Sequence, residues 1–250
     1  MPFAPSPFSY PQEEGMLFSI VVPVYNEQDN IITLVEEIEW VMKPFNKKWE
    51  LLIVNDGSTD KTEEVITSIL HDKPFLRTLV FTKNSGQTSA LDAGFKAATG
   101  YWTITLDGDG QNDPRDIPLL IETAHKGSYD LVAGRRTRRQ DPLYKRLISL
   151  FANSVRKRVL GDAISDTGCS LKLYRTEALK KIKLYRGMHR FLPTLFQIEG
   201  LKVQEISVHH RKRRRGKSKY HLLNRGISLF YDMLAVWWMR KRALNYEIKS

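Results

Sequence analysis

One cysteine, Cys169, stands in 250 residues. A disulfide framework is therefore excluded, as is a cysteine-based zinc site, and a reducing cytosol is the compartment that fits. Long apolar runs are missing too. Crossing a bilayer takes about 20 apolar residues, and the longest candidate, Ile227 to Met239, is shorter and carries Asp232. The first residues lack the basic-then-apolar order of a signal peptide and hold Pro2, Pro5, Pro7 and Pro11, so residues 1–15 read as an extended tail. No G-x-G-x-x-G follows the first apolar run and no P-loop occurs, so a nucleotide, if bound, is held in another way. Internal repeats and long low-complexity segments are absent.

What is there looks globular. Apolar residues make up 42% and charged residues 27%, which excludes disordered and collagen-like classes. The net charge of +11 is unevenly spread. Residues 1–134 carry 10 basic and 20 acidic side chains, whereas residues 135–250 carry 29 and 8. The second part thus faces something anionic: nucleic acid, a phosphate-bearing substrate or an anionic membrane.

Strand and helix patterns alternate along the first part. Leu17–Val24, Trp49–Val54, Phe75–Phe81, Tyr101–Leu106 and Tyr129–Ala133 read as buried strands. Gln28–Met42 shows helical spacing, Asp60 with Glu63 reads as a capping box opening a helix to Leu70, and Thr88–Ala98 and Arg115–His125 supply two more helices. Later come a basic amphipathic helix over Leu143–Leu160, a short strand at Lys172–Tyr174, helices on either side of Gly187, a strand at Val203–Val208 and a last helix from His221 to Arg242. This is an α/β pattern: a Rossmann-like, mostly parallel sheet with helices on both faces, plus a C-terminal amphipathic helix. Ligands of such sheets bind at the carboxyl ends of the strands. Polar clusters fall there, at Tyr25-Asn26-Glu27, Asn55-Asp56-Gly57, Asn84-Ser85-Gly86 and Asp107-Gly108-Asp109.

The sharpest of these is Asp107-Gly-Asp-Gly-Gln111. Asp109 and the Gln111 amide are hard oxygen donors suited to Mg2+ or Mn2+ on a diphosphate. In Asp56-Gly-Ser-Thr-Asp60, Gly57 permits a tight turn and Asp56 is left to accept from a base or ribose; plain turn chemistry is the competing explanation.

The ordered set Pro23-Val-Tyr-Asn-Glu27, Asn55-Asp-Gly-Ser-Thr-Asp60, Asn84-Ser-Gly-Gln87 and Asp107-Gly-Asp-Gly-Gln111 resembles glycosyltransferase family 2, with its GT-A fold. Gly134-Arg-Arg136, Asp166-Thr-Gly-Cys169, Met188-His-Arg-Phe191 and Gly216-Lys-Ser-Lys-Tyr220 resemble its polyprenyl-phosphate branch, typified by dolichol-phosphate mannosyltransferase. The Gln-x-x-Arg-Trp pentad of the processive branch is missing.

The resemblance implies a GT-A catalytic domain over 16–220, with a nucleotide-sugar half (16–134) and an acceptor half (135–220), and 221–250 as the C-terminal helix. It implies inverting transfer of one sugar from a nucleotide-diphosphate sugar (GDP-mannose or a UDP-sugar) to a polyprenyl or dolichyl phosphate. Pro23, Tyr25, Glu27, Asp56, Gly86, Gln87, Asp107 and Gly108 would contact the nucleotide. Asp109 and Gln111 would hold the metal, and Asp107, Asp109 and Arg136 would be catalytic. Arg135 or Arg136, Lys145, Arg146, Ser149, Arg213, Lys217, Ser218 and Lys219 would bind the acceptor phosphate, the G-x-R spacing favouring Arg136. Asn55 replaces an aspartate common in relatives.

The final helix places Ile227, Phe230, Tyr231, Leu234, Trp237 and Trp238 on one stripe flanked by cations. Core packing, a subunit interface and an anionic membrane surface all fit such a stripe, and the expected setting is peripheral, on the cytoplasmic face of a membrane, docked directly or through a membrane-protein partner. A family 2 transferase acting on a saccharide or lipid-A-like acceptor is the rival within enzymes; it would need a carboxylate base near Asp166. A basic nucleic-acid-binding protein is the rival of another class, raised by Arg211 to Arg215; it leaves Asp107 and Asp109 without a role, and no nucleic-acid partner is expected.

Overall fold

The computed structural model describes residues 17–45, 48–137, 156–161, 164–212 and 222–244. Seven strands form one sheet: β1 (Phe18–Val24), β2 (Trp49–Asn55), β3 (Leu76–Val80), β4 (Trp102–Thr105), β5 (Leu131–Arg136), β6 (Lys172–Arg175) and β7 (Val203–Val208). Their spatial order is β3-β2-β1-β4-β6-β5-β7. The first four are mutually parallel, as is β5 with β7, while β6 runs antiparallel to both β4 and β5. The sheet is thus mostly parallel with one reversed strand.

Helices cover both faces. On one, α1 (Ile31–Met42), α2 (Thr62–Leu70) and α4 (Ile117–Gly127) pack on Phe18, Ile20, Val22, Leu51, Ile53 and Ile104. On the other, α3 (Gln87–Ala97), α5 (Thr176–Lys181) and α6 (Leu192–Ile198) pack on Val21, Leu52, Val54, Leu131 and Tyr174. β1 and β2 are buried along their whole length, which is why they read as continuous apolar runs rather than alternating ones. A smaller core joins Leu160, Met188, Phe191 and Leu195 to Met233 and Val236 of α7 (Leu222–Arg242).

Some boundaries differ from the sequence expectation. α1 starts at Ile31 rather than Gln28, because Asn30 N–H closes a turn on the Glu27 carbonyl (2.9 Å). α2 starts at Thr62: the Asp60 carboxylate takes the amide and the hydroxyl of Thr62, not the amide of Glu63, so the expected capping box is replaced by a tighter local turn. Arg115 belongs to a 3-10 turn, Pro114–Asp116, that feeds α4. Of the basic helix expected over 143–160, only 156–160 lies within the described residues, where it is helical. The tail at 1–15 lies outside them.

Candidate active site

The strand ends meet at one edge of the sheet, and the loops there are tied to each other. After β1, Asn26 adopts a left-handed conformation (φ 54°). Its side chain accepts from Thr59 N–H (2.7 Å), its own N–H donates to Ser58 Oγ (2.9 Å), and Glu27 N–H donates to Thr62 Oγ1 (2.9 Å). Pro23 and Val24 are buried in β1, and Tyr25 sits half-buried at its exit. Glu27 is buried, its carboxylate taking the Asn30 amide (2.7 Å).

Asp56 is not the open acceptor expected from the sequence. Its carboxylate receives Ser85 N–H (2.7 Å), Gly86 N–H (2.9 Å) and Asn84 Nδ2 (3.1 Å), so it clamps the turn that leads into α3. Gly57 makes that clamp possible. It has φ +64°, and a Cβ there would lie 2.4 Å from the Lys83 carbonyl carbon. Asn55 is buried; its Oδ1 takes Ser58 N–H (3.0 Å), while its Nδ2 has no hydrogen-bond partner among the described residues.

α3 carries Gln87 to the centre. Its Nε2 donates to Asp107 Oδ1 (2.8 Å), joining two residues that the sequence assigned separately to the nucleotide. Gly108 is packed against Val24. Asp109 Oδ1 accepts from Gln111 N–H (3.1 Å), so the two expected metal donors share one turn. Asn112, buried, accepts from Asp107 N–H (3.2 Å) and from Ser170 Oγ (2.6 Å), bracing this turn against the loop before β6.

Beneath Asp107 lies a buried cluster of charge. Burial pushes the Asp107 carboxyl above its ordinary pKa, against the pull of Ser170, Lys172, Arg136 and Gln87. Lys172 is buried, and its ammonium donates to the Cys169 carbonyl. Burial lowers the Lys172 pKa, while Cys169, Asp166 and Asp107 act to raise it. Arg136 forms a two-pronged pair with Asp166, Nε to Oδ2 (2.7 Å) and Nη2 to Oδ1 (2.8 Å), and its backbone N–H also donates to Asp166. Burial works against the Arg136 charge, yet the Asp166 contacts prevail and hold its pKa above the usual arginine value. Asp166 is fixed from behind, where Glu205 Oε1 accepts the amides of Ser165 and Asp166 (2.8 Å each).

Neighbouring residues of a strand face opposite ways, and this separates the two arginines. Arg136 lies in the Asp107 cluster, whereas Arg135 is exposed and donates to Ser207 Oγ (3.0 Å). Lys145, Arg146, Ser149, Arg213, Lys217, Ser218 and Lys219 lie outside the described residues. Arg211, the first cation of the basic run, is committed to Glu37 and Asp113 (2.6 Å each).

Among the described residues, no group of three or more His, Cys, Asp and Glu could hold a metal ion. The donors present suit a different kind of site. Asp109 and the Gln111 amide are the hard oxygen donors that would hold a Mg2+ or Mn2+. His210 joins them: its Nε2 lies 3.4 Å from Gln111 Nε2, and an isolated bridge pairs His210 with Asn112. His209 turns the other way, its ring and amide both on Asp116 (2.8 and 2.6 Å). The two adjacent histidines thus face apart, and nothing in the sequence tells that the chain after β7 folds back beside Gln111. Lys172 carried a weak signal, a cation inside an apolar strand.

Residues 19–183 match glycosyl transferase family 2. The chain belongs to that family. Dodecaprenyl-phosphate galacturonate synthase of Rhizobium johnstonii is 37% identical to this glycosyltransferase over 235 residues, 92% of this chain and 69% of that one. Undecaprenyl-phosphate 4-deoxy-4-formamido-L-arabinose transferase of Pectobacterium carotovorum is 38% identical over 217 residues, 86% and 66% of the two chains. The chain thus spans about two thirds of the length of these relatives. Glucosyl-3-phosphoglycerate synthase of Mycobacterium tuberculosis, solved with Mn2+ and uridine-diphosphate-glucose, superposes with a TM-score of 0.68 at 18% identity, covering 92% of this chain and 81% of that one. The fold of this transferase is GT-A.

Proposed function

We propose that this family 2 glycosyltransferase moves one sugar, with inversion, from a guanosine- or uridine-diphosphate sugar to a polyprenyl phosphate at the cytoplasmic face of a membrane. Two relatives, 37% and 38% identical over the aligned residues, are named for polyprenyl-phosphate products or acceptors, which supports that acceptor class. The observation that carries the reading is the Arg136–Asp166 fork beside Asp107.

A sugar hydroxyl acceptor needs a carboxylate base. Asp166, the candidate, is instead committed to Arg136 and to its own turn, where Gly168 N–H also reaches it (3.2 Å). A phosphate monoester is already an anionic nucleophile and needs a cation to hold it. Arg136 presents such a cation: Asp166 engages Nε and Nη2, and no hydrogen bond engages Nη1 among the described residues.

In the proposed reaction a phosphate oxygen of the acceptor attacks the anomeric carbon from the face opposite the leaving group. The bond from that carbon to the donor diphosphate breaks, and its electron pair leaves with the nucleoside diphosphate. Gln87 and Asn112 orient Asp107 toward the nucleotide, and the Asp56 clamp shapes the loop before α3. Asp109 and Gln111, with His210 beside them, would hold a divalent cation. Such an ion, when bound, offsets charge on the leaving diphosphate.

The test is a donor screen with UDP- and GDP-sugars, Mg2+ or Mn2+, and a short-chain polyprenyl phosphate. The expected product is a lipid monophosphate sugar together with free nucleoside diphosphate. Turnover on saccharide acceptors alone would overturn the proposal.

A further inference from the structure

Lys172 is a buried lysine that the proposed reaction does not use. The reversal of β6 brings it to the site. Parallel strands deliver their carboxyl ends to that edge of the sheet, whereas an antiparallel strand delivers its beginning. Lys172 is the first residue of β6, set in register beside Thr105 of β4 and Ala133 of β5. Asp107 follows Thr105 closely in the chain, and Arg136 follows Ala133. The lysine therefore enters between the strand that carries a donor-side carboxylate and the strand that carries an acceptor-side guanidinium.

The charges of this cluster balance. Asp107 and Asp166 are its carboxylates, Lys172 and Arg136 its cations, and Lys172 acts on both acids. Arg136 gives its fork to Asp166 and has Asp107 as a second acidic neighbour. Lys172 also grips the loop that braces Asp107. Its ammonium donates to the Cys169 carbonyl. The next residue, Ser170, donates to Asn112 Oδ1 (2.6 Å), the atom that takes Asp107 N–H (3.2 Å). Without the Lys172 charge, one cation would serve two carboxylates. In a site shielded from water such an imbalance is costly, and it draws Arg136 off Asp166 toward Asp107.

We propose that Lys172 is a positioning residue that keeps the two halves of the site apart: it holds Asp107 for the nucleotide and so leaves Arg136 committed to Asp166 and the acceptor phosphate. This deepens the reading of a nucleotide-sugar donor and a lipid-phosphate acceptor and rests on it. A cation on the donor side thus governs acceptor recognition without touching either substrate.

Calorimetry on the full chain tests this, with UDP or GDP plus Mn2+ for the donor side and a short, water-soluble polyprenyl phosphate for the acceptor side. Lys172→Met should weaken nucleotide binding about tenfold and acceptor binding about threefold, within the range for groups that share one network. Asp107→Asn should weaken nucleotide binding alone. In Lys172→Met with Asp107→Asn the charges balance again. Nucleotide binding should then be no weaker than in Asp107→Asn, and acceptor binding should return to the wild-type value. A packing role does not produce recovery on one side of the site through a second loss on the other.

Lys172→Met with wild-type affinity for both ligands overturns the proposal. So does a double variant whose acceptor binding stays as weak as that of Lys172→Met, or whose nucleotide loss is the product of the two single losses. If Lys172→Met does not fold, the double variant decides by comparison with wild type and Asp107→Asn, since removing both partners of a buried pair is tolerated better than removing one. A double variant that does not fold either assigns Lys172 to packing and refutes the proposal. Wild-type protein that binds neither nucleotide, or no polyprenyl phosphate, overturns the functional reading and this proposal together, whereas the other failures leave that reading standing.

Discussion

Asp166→Asn separates two roles that a carboxylate at this position can have. In the structure Asp166 is almost fully buried and accepts both prongs of Arg136, whose side chain is 21% exposed. Asparagine keeps the shape and one acceptor oxygen but loses the charge and one charge-assisted hydrogen bond, worth about 1.5–3 kcal/mol. Breaking a fully buried pair costs about 3–5 kcal/mol; partial exposure of Arg136 and the retained oxygen bring the expected loss to about 2 kcal/mol. For a chain of this size that is roughly 4–8 °C in melting temperature.

The kinetic consequence is specific. Arg136 loses its fixed orientation, so KM for the lipid phosphate should rise about tenfold while kcat falls by less than that. A general base would behave in the opposite way, with kcat falling roughly a thousandfold or more at unchanged KM. Steady-state kinetics with the acceptor varied at saturating donor distinguish the two. Adding Asp166→Asn to Arg136→Ala should cost little more than Arg136→Ala alone, because both act on one contact. A collapse of kcat with normal acceptor KM, or full additivity in the double variant, would refute the positioning role.

Asp109→Ala should lower transfer roughly a thousandfold or more, with an unchanged melting curve and weakened Mn2+ binding by calorimetry; normal turnover would remove Asp109 from the metal site. Gly57→Ala should destabilise the protein by at least about 1–2 kcal/mol in urea unfolding, the cost of a left-handed backbone alone, and by more if the Lys83 backbone has to move. Cys169 is buried and its thiol is pushed up to about 11 by that burial, with Lys172 and Arg136 pulling down against Asp166. It should therefore resist iodoacetamide at pH 8 in the native state and react only as urea opens the fold; rapid native labelling would contradict its position beneath Asp107.

Much of this architecture was legible in the chain. β1 and β2 announce themselves as unbroken apolar runs because helices cover both of their faces, and α1 keeps Ile31, Leu34, Val35, Ile38 and Val41 on the core side. Asp107, Asp109 and Gln111 could be singled out because hard donors one residue apart at a strand end are locally encoded. Partners across loops were not. Whether Asp56 serves a ligand or the Ser85 and Gly86 amides depends on where α3 begins in space. The approach of His210 to Gln111, and the pairing of Arg136 with Asp166, join segments that no local pattern connects. Strand order has the same character, since periodicity shows that Lys172–Tyr174 is extended but not that it slots between β4 and β5.

That slot has a consequence for how the chain is made. During synthesis β4 emerges long before β6, yet β6 is the strand that covers its free side, pairing Thr105 with Lys172. β5 appears in between but cannot close the gap, because its own place is on the far side of β6. A nascent chain that has reached Arg136 therefore holds a parallel four-stranded half-sheet with a bare edge at β4, the kind of template on which other extended chains accrete. Fragments ending between β5 and β6 should therefore aggregate where the full chain does not.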